Sequence, residues 1–227
     1  MNVLCCDTAS AFLTVGLEKG AKFFLANTSS SMQHSENLMN CVLSLMKEAG
    51  LELTDIDVFA CLRGPGSFTG LRIGLACFKG LAMGAGKGVV SVSSLEAYAR
   101  SCGLENNVIS CIDAKKKRWY LAQFEDGKRI LEDTDGTPAD LKIVPGKSYV
   151  VCGPDAQAFC TILSSLFPDC CFEVSPYCAR DVAKAIIDLA KEAPGFDHIG
   201  QGPLYLRKSD AEEALELKRK EQANDRL

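Results

Sequence analysis

One internal repeat restricts this chain more than any single motif does. The stretch VLCCDTASAFLTVGLEKGAKFFLANT, from Val3, lines up with VISCIDAKKKRWYLAQFEDGKRILEDT, from Val108. Asp7 falls opposite Asp113, and Gly20 falls opposite Gly127 once one residue is inserted. Both copies run as an apolar strand ending in aspartate, a polar turn, an amphipathic strand, an x-Gly turn and a third strand. The x-Gly turns are hairpin signals. Repetition at this scale means two copies of one supersecondary unit.

The rest of the pattern fits the repeat. After strands at Val3–Ala9, Leu13–Glu18 and Lys22–Asn27, helical periodicity covers Ser31–Ala49 and stops at Gly50, a natural C-terminal cap. A buried strand follows at Val58–Leu62, then the glycine-rich RGPGSFTG loop from Arg63 to Gly70. A helix at Leu71–Met83, a strand at Val89–Val92 and a helix at Leu95–Ser101, capped by Ser93 or Ser94, complete the first half. The turn-rich Cys102–Asn107 divides the chain into lobes 1–103 and 104–227. In the second lobe, strands at Val108–Asp113, Trp119–Glu125, Arg129–Glu132, Tyr149–Cys152 and Phe172–Val174 are joined by helices at Asp155–Leu166 and Arg180–Ala193. The last helix is free to pack back on the first lobe. Each half reads β-β-β-α-β-α.

Two such lobes facing each other describe an α/β, duplicated actin/sugar-kinase-like fold. In that architecture the first hairpin of each lobe turns toward a nucleotide. Asp7 and Asp113 are each explicable as a strand-end turn cap. Their matching positions in a repeat favour a shared cleft.

Composition sets the limits. The 227 residues suit two lobes, with 47% hydrophobic and 24% charged residues. A net charge of -4 argues against strong direct binding to a nucleic-acid backbone. No apolar run is long enough to cross a membrane, and MNVLCCDTAS lacks the basic start of a secretory signal, so a cytoplasmic protein is expected. There are twelve cysteines but no C-x-x-C pair, and only two histidines, His34 and His198. Cys5, Cys6, Cys41, Cys61, Cys77, Cys111 and Cys152 sit in apolar runs and read as small buried hydrophobes. No metal and no cofactor is expected.

Five segments together resemble the TsaB (formerly YeaZ) family: CDTAS from Cys6, HSENL from His34, RGPGSFTGLRIG from Arg63, IDAKKKRWY from Ile112 and PLYLR from Pro203. GPGSFTGLRIG is the specific one, and the segments span nearly the whole chain in order. The resemblance implies a paralogue of the catalytic subunit TsaD that carries no chemistry itself. With TsaD and the ATPase TsaE it would support formation of N6-threonylcarbamoyladenosine at position 37 of tRNAs reading ANN codons. It also implies pairing with TsaD through first-lobe helices, self-pairing there when alone, tRNA reached only through the complex, and no membrane partner.

The residues support that division of labour. TsaD-like proteins hold metal with two histidines at i and i+4 on a helix; here Leu38 stands four residues after His34. His34 reads instead as a helix-start residue bonded to backbone. The RGPGSFTG loop has no Gly-Lys-Ser/Thr ending, so it reads as a tight strand-to-helix turn rather than a phosphate cradle. The residues assigned to a degenerate cleft or family motif are Asp7, Thr8, Ser10, His34, Arg63, Gly64, Gly66, Ser67, Thr69, Gly70, Arg72, Asp113 and Lys115; none is expected to be catalytic. Lys115–Arg118 reads as a solvated turn, with contact to tRNA phosphate as the alternative.

On the first helix the apolar residues span roughly 160°, wider than one core contact needs. Two stripes emerge, Leu38/Val42/Leu45/Ala49 and Met39/Leu43/Met46. The next helix is apolar nearly all round, and Gly74, Gly80 and Gly84 permit close approach. The expected partner surface is Leu38, Met39, Val42, Leu43, Met46, Leu71, Leu75 and Phe78. Two alternatives stay open. A glycoprotease-like peptidase would use Ser35 or Ser67 but lacks a well-placed histidine. A small-molecule kinase would need both cleft aspartates plus an adenosine-binding G-G-x-x region in the second lobe, of which Cys152-Gly153-Pro154-Asp155 is only a faint echo; tight Mg-ATP binding would favour it.

Overall fold

The computed structural model describes residues 1–28, 34–198 and 200–207. Residues 29–33, where the helix expected from Ser31 would begin, and everything after Arg207 lie outside the described residues. Among those described there are two five-stranded sheets and five α-helices. The first sheet contains β1 (Asn2–Asp7), β2 (Leu13–Lys19), β3 (Lys22–Thr28), β4 (Val58–Gly64) and β5 (Gly88–Ser93), in the order β3-β2-β1-β4-β5. The second contains β6 (Val108–Asp113), β7 (Trp119–Glu125), β8 (Lys128–Gly136), β9 (Ser148–Cys152) and β10 (Cys171–Val174), in the order β10-β9-β6-β7-β8. Read from the other edge, the second order is β8-β7-β6-β9-β10, the same topology as the first. The repeat in the sequence is therefore a repeat of sheet topology, and the duplicated actin/sugar-kinase-like fold follows from it.

The lobes differ in helices. The first carries α1 (His34–Ala49), α2 (Phe68–Ala85) and α3 (Ser94–Ser101), while the second carries α4 (Ala156–Leu166) and α5 (Ala179–Glu192). The strand–helix unit that ends each lobe occurs twice rather than once. The second lobe has no counterpart of α1, because β8 passes to β9 through a short 3-10 turn at Pro138–Asp140.

Local chemistry fixes these elements. β1 pairs antiparallel with β2 and parallel with β4, and helices bury both its faces, Leu4 and Cys6 on one and Val3 and Cys5 on the other, which is why VLCC is a continuous apolar run rather than an alternating one. The Ser67 hydroxyl accepts from Gly70 N–H at 3.2 Å and starts α2, and Gly86, at φ 67°, ends it in the left-handed conformation. Ser93 caps α3 by accepting from Glu96 N–H at 3.2 Å. Its own proton goes across the lobes to Asp133 at 2.5 Å.

The core forms three clusters across five layers. Outermost, α1 and α2 cover one face of the first sheet, with Leu38, Val42, Leu45, Leu75 and Phe78 against Leu4, Val15 and Phe59. Between the sheets lie α3 and α5, packed on Val3, Cys5, Ala60 and Val90 of one sheet and on Val108, Ala122 and Phe124 of the other. On the far side α4 buries Phe159 and Leu163 against Ile109, Leu121 and Val151. The fit of α5 on the first sheet is close: a Cβ at Gly16 would lie 2.8 Å from Ala183 Cβ and 2.9 Å from Cys5 Sγ.

This layering corrects the expected partner surface. Leu38, Val42, Met46, Leu71, Leu75 and Phe78 are all buried in the core and are unavailable to a partner. The first sheet needs a full apolar lining, and that demand consumes most of the wide arc on α1. The Leu38/Val42/Leu45/Ala49 stripe faces the sheet, and Met46 joins it. Of the eight residues, Leu43 is 58% exposed and Met39 half-buried. Of the seven cysteines read as buried, Cys41 and Cys77 are half-buried and the other five fully buried.

Candidate functional site: an inter-lobe cleft and an outer helical face

The first hairpin turns of both lobes meet at a cleft of about 880 Å³. Ser10, Gly66 and Ser67 of the first lobe line it opposite Asp113, Lys115 and Asp155 of the second. Phe12, Phe68, Tyr120 and Tyr205 make its aromatic walls.

The two aspartates of the repeat are placed differently. Asp113 lines the cleft, where its Oδ1 accepts from Lys115 N–H at 2.7 Å and its Oδ2 from Lys115 Nζ at 2.8 Å. Although some burial pulls the other way, those bonds hold its carboxyl below the usual range. Asp7 does not line the cleft; it is fully buried. Its Oδ1 accepts from Ala9 N–H at 2.8 Å, and its Oδ2 accepts from Tyr98 OH at 3.1 Å and Tyr177 OH at 3.0 Å. Burial pushes its pKa up to about 6, against the pull of those three donors and of the nearby His34. The shared cleft expected of both residues therefore contains only Asp113, because two tyrosines close over Asp7.

The glycine-rich loop is pressed onto the first hairpin. A Cβ at Gly70 would lie 2.0 Å from Thr8 O, and one at Gly74 would lie 2.3 Å from Thr8 Oγ1. Gly66, at φ 157°, would meet Ala9 O at 2.5 Å. Thr8 is buried under this contact, and Ser67 N–H donates to Ala9 O at 2.7 Å. The loop thus spends its small residues on hairpin packing. His34 is buried with its Nε2 2.9 Å from Ser10 O, and Leu38 points into the core. Among the described residues, no group of three His, Cys, Asp or Glu side chains is placed to hold a metal ion.

The PLYLR segment lies across the cleft mouth. Leu204 N–H donates to Arg63 O at 2.6 Å, close beside Gly64. The Tyr205 ring stacks on Phe68 at 4.2 Å, and Arg72 Nε donates to Tyr205 OH at 2.8 Å. The Arg72 guanidinium also covers the Phe68 ring at 4.0 Å. At the other end, Arg207 donates to Ala114 O at 3.1 Å, so the segment straps one lobe to the other. Thr69, beside Phe68, is exposed.

The basic turn has a backbone the sequence did not announce. Lys115, Lys116 and Lys117 are three successive left-handed residues, at φ 63°, 54° and 61°. The turn is held by Ala114 N–H to Arg118 O and Arg118 N–H to Lys115 O, both 3.0 Å. Arg118 is further anchored by Asp135 at 2.8 Å.

A second surface lies on the outer face of α1 and α2. Leu43 is 58% and Met83 70% exposed. Ala76 and Gly80 of α2 are also exposed, with Ile73 and Met39 half-buried. The Cys77 thiol meets Met39 Sδ at 3.4 Å and joins the two helices' stripes into one face. Ala76, Gly80 and Met83 were missing from the expected surface. The spacing 73–76–77–80–83–84 along α2 carries their signal.

Residues 27–141 match the family model described as "TsaD: tRNA N6-adenosine threonylcarbamoyltransferase". An Escherichia coli K12 protein named as tRNA threonylcarbamoyladenosine biosynthesis protein TsaB is 32% identical over 145 residues. A Bacillus subtilis protein of the same name is 28% identical over 221 residues, 93% of this chain and 96% of that one. This chain belongs to the TsaB (YeaZ) family, within the wider group that the TsaD model describes. The E. coli match covers 63% of this chain and 63% of that protein, under two-thirds of its length. An uncharacterized Mycobacterium tuberculosis relative is 30% identical over 92% of this chain and 93% of its own. The solved YeaZ from Pseudomonas aeruginosa superposes with a TM-score of 0.74 at 23% identity, over 90% of this chain and 99% of that one, which shows a shared fold.

Proposed function

We propose that this protein is a non-catalytic partner subunit in the formation of N6-threonylcarbamoyladenosine at position 37 of tRNAs reading ANN codons. It acts in the cytoplasm with a TsaD-like catalytic subunit and a TsaE-like ATPase, and pairs with itself when alone. The relatives' names, which place them in threonylcarbamoyladenosine biosynthesis, support the pathway.

The observation that carries the non-catalytic role is the state of the two repeat aspartates. Asp7 is closed over by Tyr98 and Tyr177, and Asp113 is engaged twice by Lys115. A kinase of this fold needs carboxylates open to metal and phosphate-bound water. The docking role rests on the α1–α2 face. An apolar face with exposed Leu43 and Met83 beside half-buried Met39 on a folded protein suits a partner helix. Each Å² of that area removed from water contributes about 25 cal/mol.

The test is reconstitution. TsaD-like and TsaE-like subunits are assayed for modified adenosine with and without this chain. Product that requires the chain, with no turnover by the chain alone, supports the reading. Full product without it, or ATP-dependent phosphorylation of a small molecule by the pure chain, overturns it.

A further inference from the structure

Asp7 occupies the junction between the first sheet and both helices of the inter-lobe layer. Tyr98 reaches it from α3, and Tyr177 reaches it from residues 175–178, where the chain leaves β10 of the second sheet for α5 on the first. The Tyr177 ring stacks on Phe12 at 4.5 Å with an interplanar angle of 12°, and Phe12 lines the cleft. A stack of two rings therefore leads from the buried carboxyl to the cleft. Tyr177 OH also lies 3.0 Å from Thr14 Oγ1, a contact in which either oxygen can donate.

We propose that Tyr177 and Phe12 form a gate between Asp7 and the cleft, and that the ionised Asp7 carboxylate drives this gate open to regain water. With the gate closed, a protonated Asp7 can donate to Tyr177, which turns its own proton to Thr14, so the neutral form leaves no hydroxyl stranded. The ionised form accepts all three donors but stays without water, and a buried charge is costly. Swinging Tyr177 and Phe12 aside opens a water path from the cleft to the carboxylate.

The direction follows from linkage. In the closed state burial holds the Asp7 pKa at about 6. Hydrated, it returns to the ordinary aspartate value of about 4. Protons thus favour the closed gate, and opening becomes easier as pH rises between those values. The opening constant should increase about tenfold between roughly pH 5 and pH 7.5. The titratable groups facing Asp7 are Tyr98 from α3, Tyr177 from the crossing segment, His34 from α1, and the Cys5 and Cys6 thiols of its own strand. Burial keeps both tyrosines and both thiols neutral over this range. His34 is the one cationic side chain among them whose charge acts on Asp7, so it is the group to control for.

Amide hydrogen exchange of the full chain between pH 5 and 7.5, corrected for intrinsic rates, tests the gate. Peptides spanning 8–14 and 175–182 should open about tenfold more at the upper pH in the wild type. They should show no pH dependence in Asp7→Asn and an unchanged dependence in His34→Gln. A flat wild-type profile, or a dependence that survives Asp7→Asn, overturns the proposal. If Asp7→Asn does not fold, Tyr177→Phe decides: it removes one donor from the carboxylate while keeping the ring on Phe12. It should raise opening at pH 7.5 and keep the pH dependence; unchanged opening in that variant refutes the gate.

Discussion

Asp7 and Asp113 accept the same hydrogen bond, each from the backbone N–H two residues on, at 2.8 and 2.7 Å. The duplication is preserved in this turn and lost around it. In the first lobe the second carboxylate oxygen is handed to two buried tyrosines, in the second to a lysine at the cleft rim.

Asp7→Asn should therefore stabilise the protein at neutral pH. A carboxyl whose folded pKa is raised binds its proton more tightly in the folded state. Its contribution to stability is greatest below the unfolded pKa, near 4, and is lost as pH rises to about 6. The two-unit shift corresponds to about 3 kcal/mol at most. Urea unfolding at pH 7 should show Asp7→Asn more stable by on the order of 1–3 kcal/mol, with a flatter profile between pH 4 and 6. A less stable Asn variant with an unchanged profile would contradict this. Asp7→Ala should instead destabilise by about 2–4 kcal/mol, since it strands three buried donors.

Glutamate substitutions separate core from surface on α1. Leu38→Glu places a carboxylate at 1% exposure and should unfold the chain, at a cost of several kcal/mol. Leu43→Glu and Met83→Glu should remain folded with near-native circular dichroism. If the outer face docks a partner, both become monomeric by light scattering and fail to support adenosine modification. Folded variants with unchanged oligomeric state and full activity would remove this face from consideration.

Much of this arrangement was legible in the sequence, and the exceptions have physical causes. The paired hairpins, the Gly20 and Gly127 turns and the Ser93 cap are local, so residue type and spacing carry them. The fate of the α1 stripes is not local. Periodicity shows that Leu38 and Leu43 lie on different faces, but only the position of the first sheet says which is inside. The burial of Asp7 was hidden for a similar reason: Tyr98 and Tyr177 are 91 and 170 residues away. The left-handed lysines defeat local rules outright, since such a turn would ordinarily carry Gly or Asn.

That last feature gives a substitution with a definite sign. A non-glycine residue in the left-handed region costs about 1 kcal/mol or more. Lys117→Gly should raise stability by about 0.5–1 kcal/mol, net of the entropy glycine loses on folding. A chemical-denaturation midpoint that stays put or falls would show that the Lys117 side chain contributes more than its backbone costs.

Gly16→Val should loosen α5 from the first sheet. Its Cβ alone would overlap Ala183 and Cys5, and overpacking of this kind costs about 1–3 kcal/mol. Hydrogen exchange should show the loss of protection concentrated in residues 179–192. Protection lost evenly across the chain would mean that the two lobes unfold as one unit.

The inter-lobe layer changes what a half of this molecule is. A cut after residue 103 would leave the first sheet without α5, whose Ala183 and Ile186 cover Cys5 and Val90 in sequence-distant partnership. Neither fragment would inherit a complete core, since α3 also packs on β6 and β7 of the second sheet, so the two lobes depend on each other. Co-expressed as separate chains, residues 1–103 and 104–227 should find each other and rebuild the whole; expressed singly, each should be insoluble.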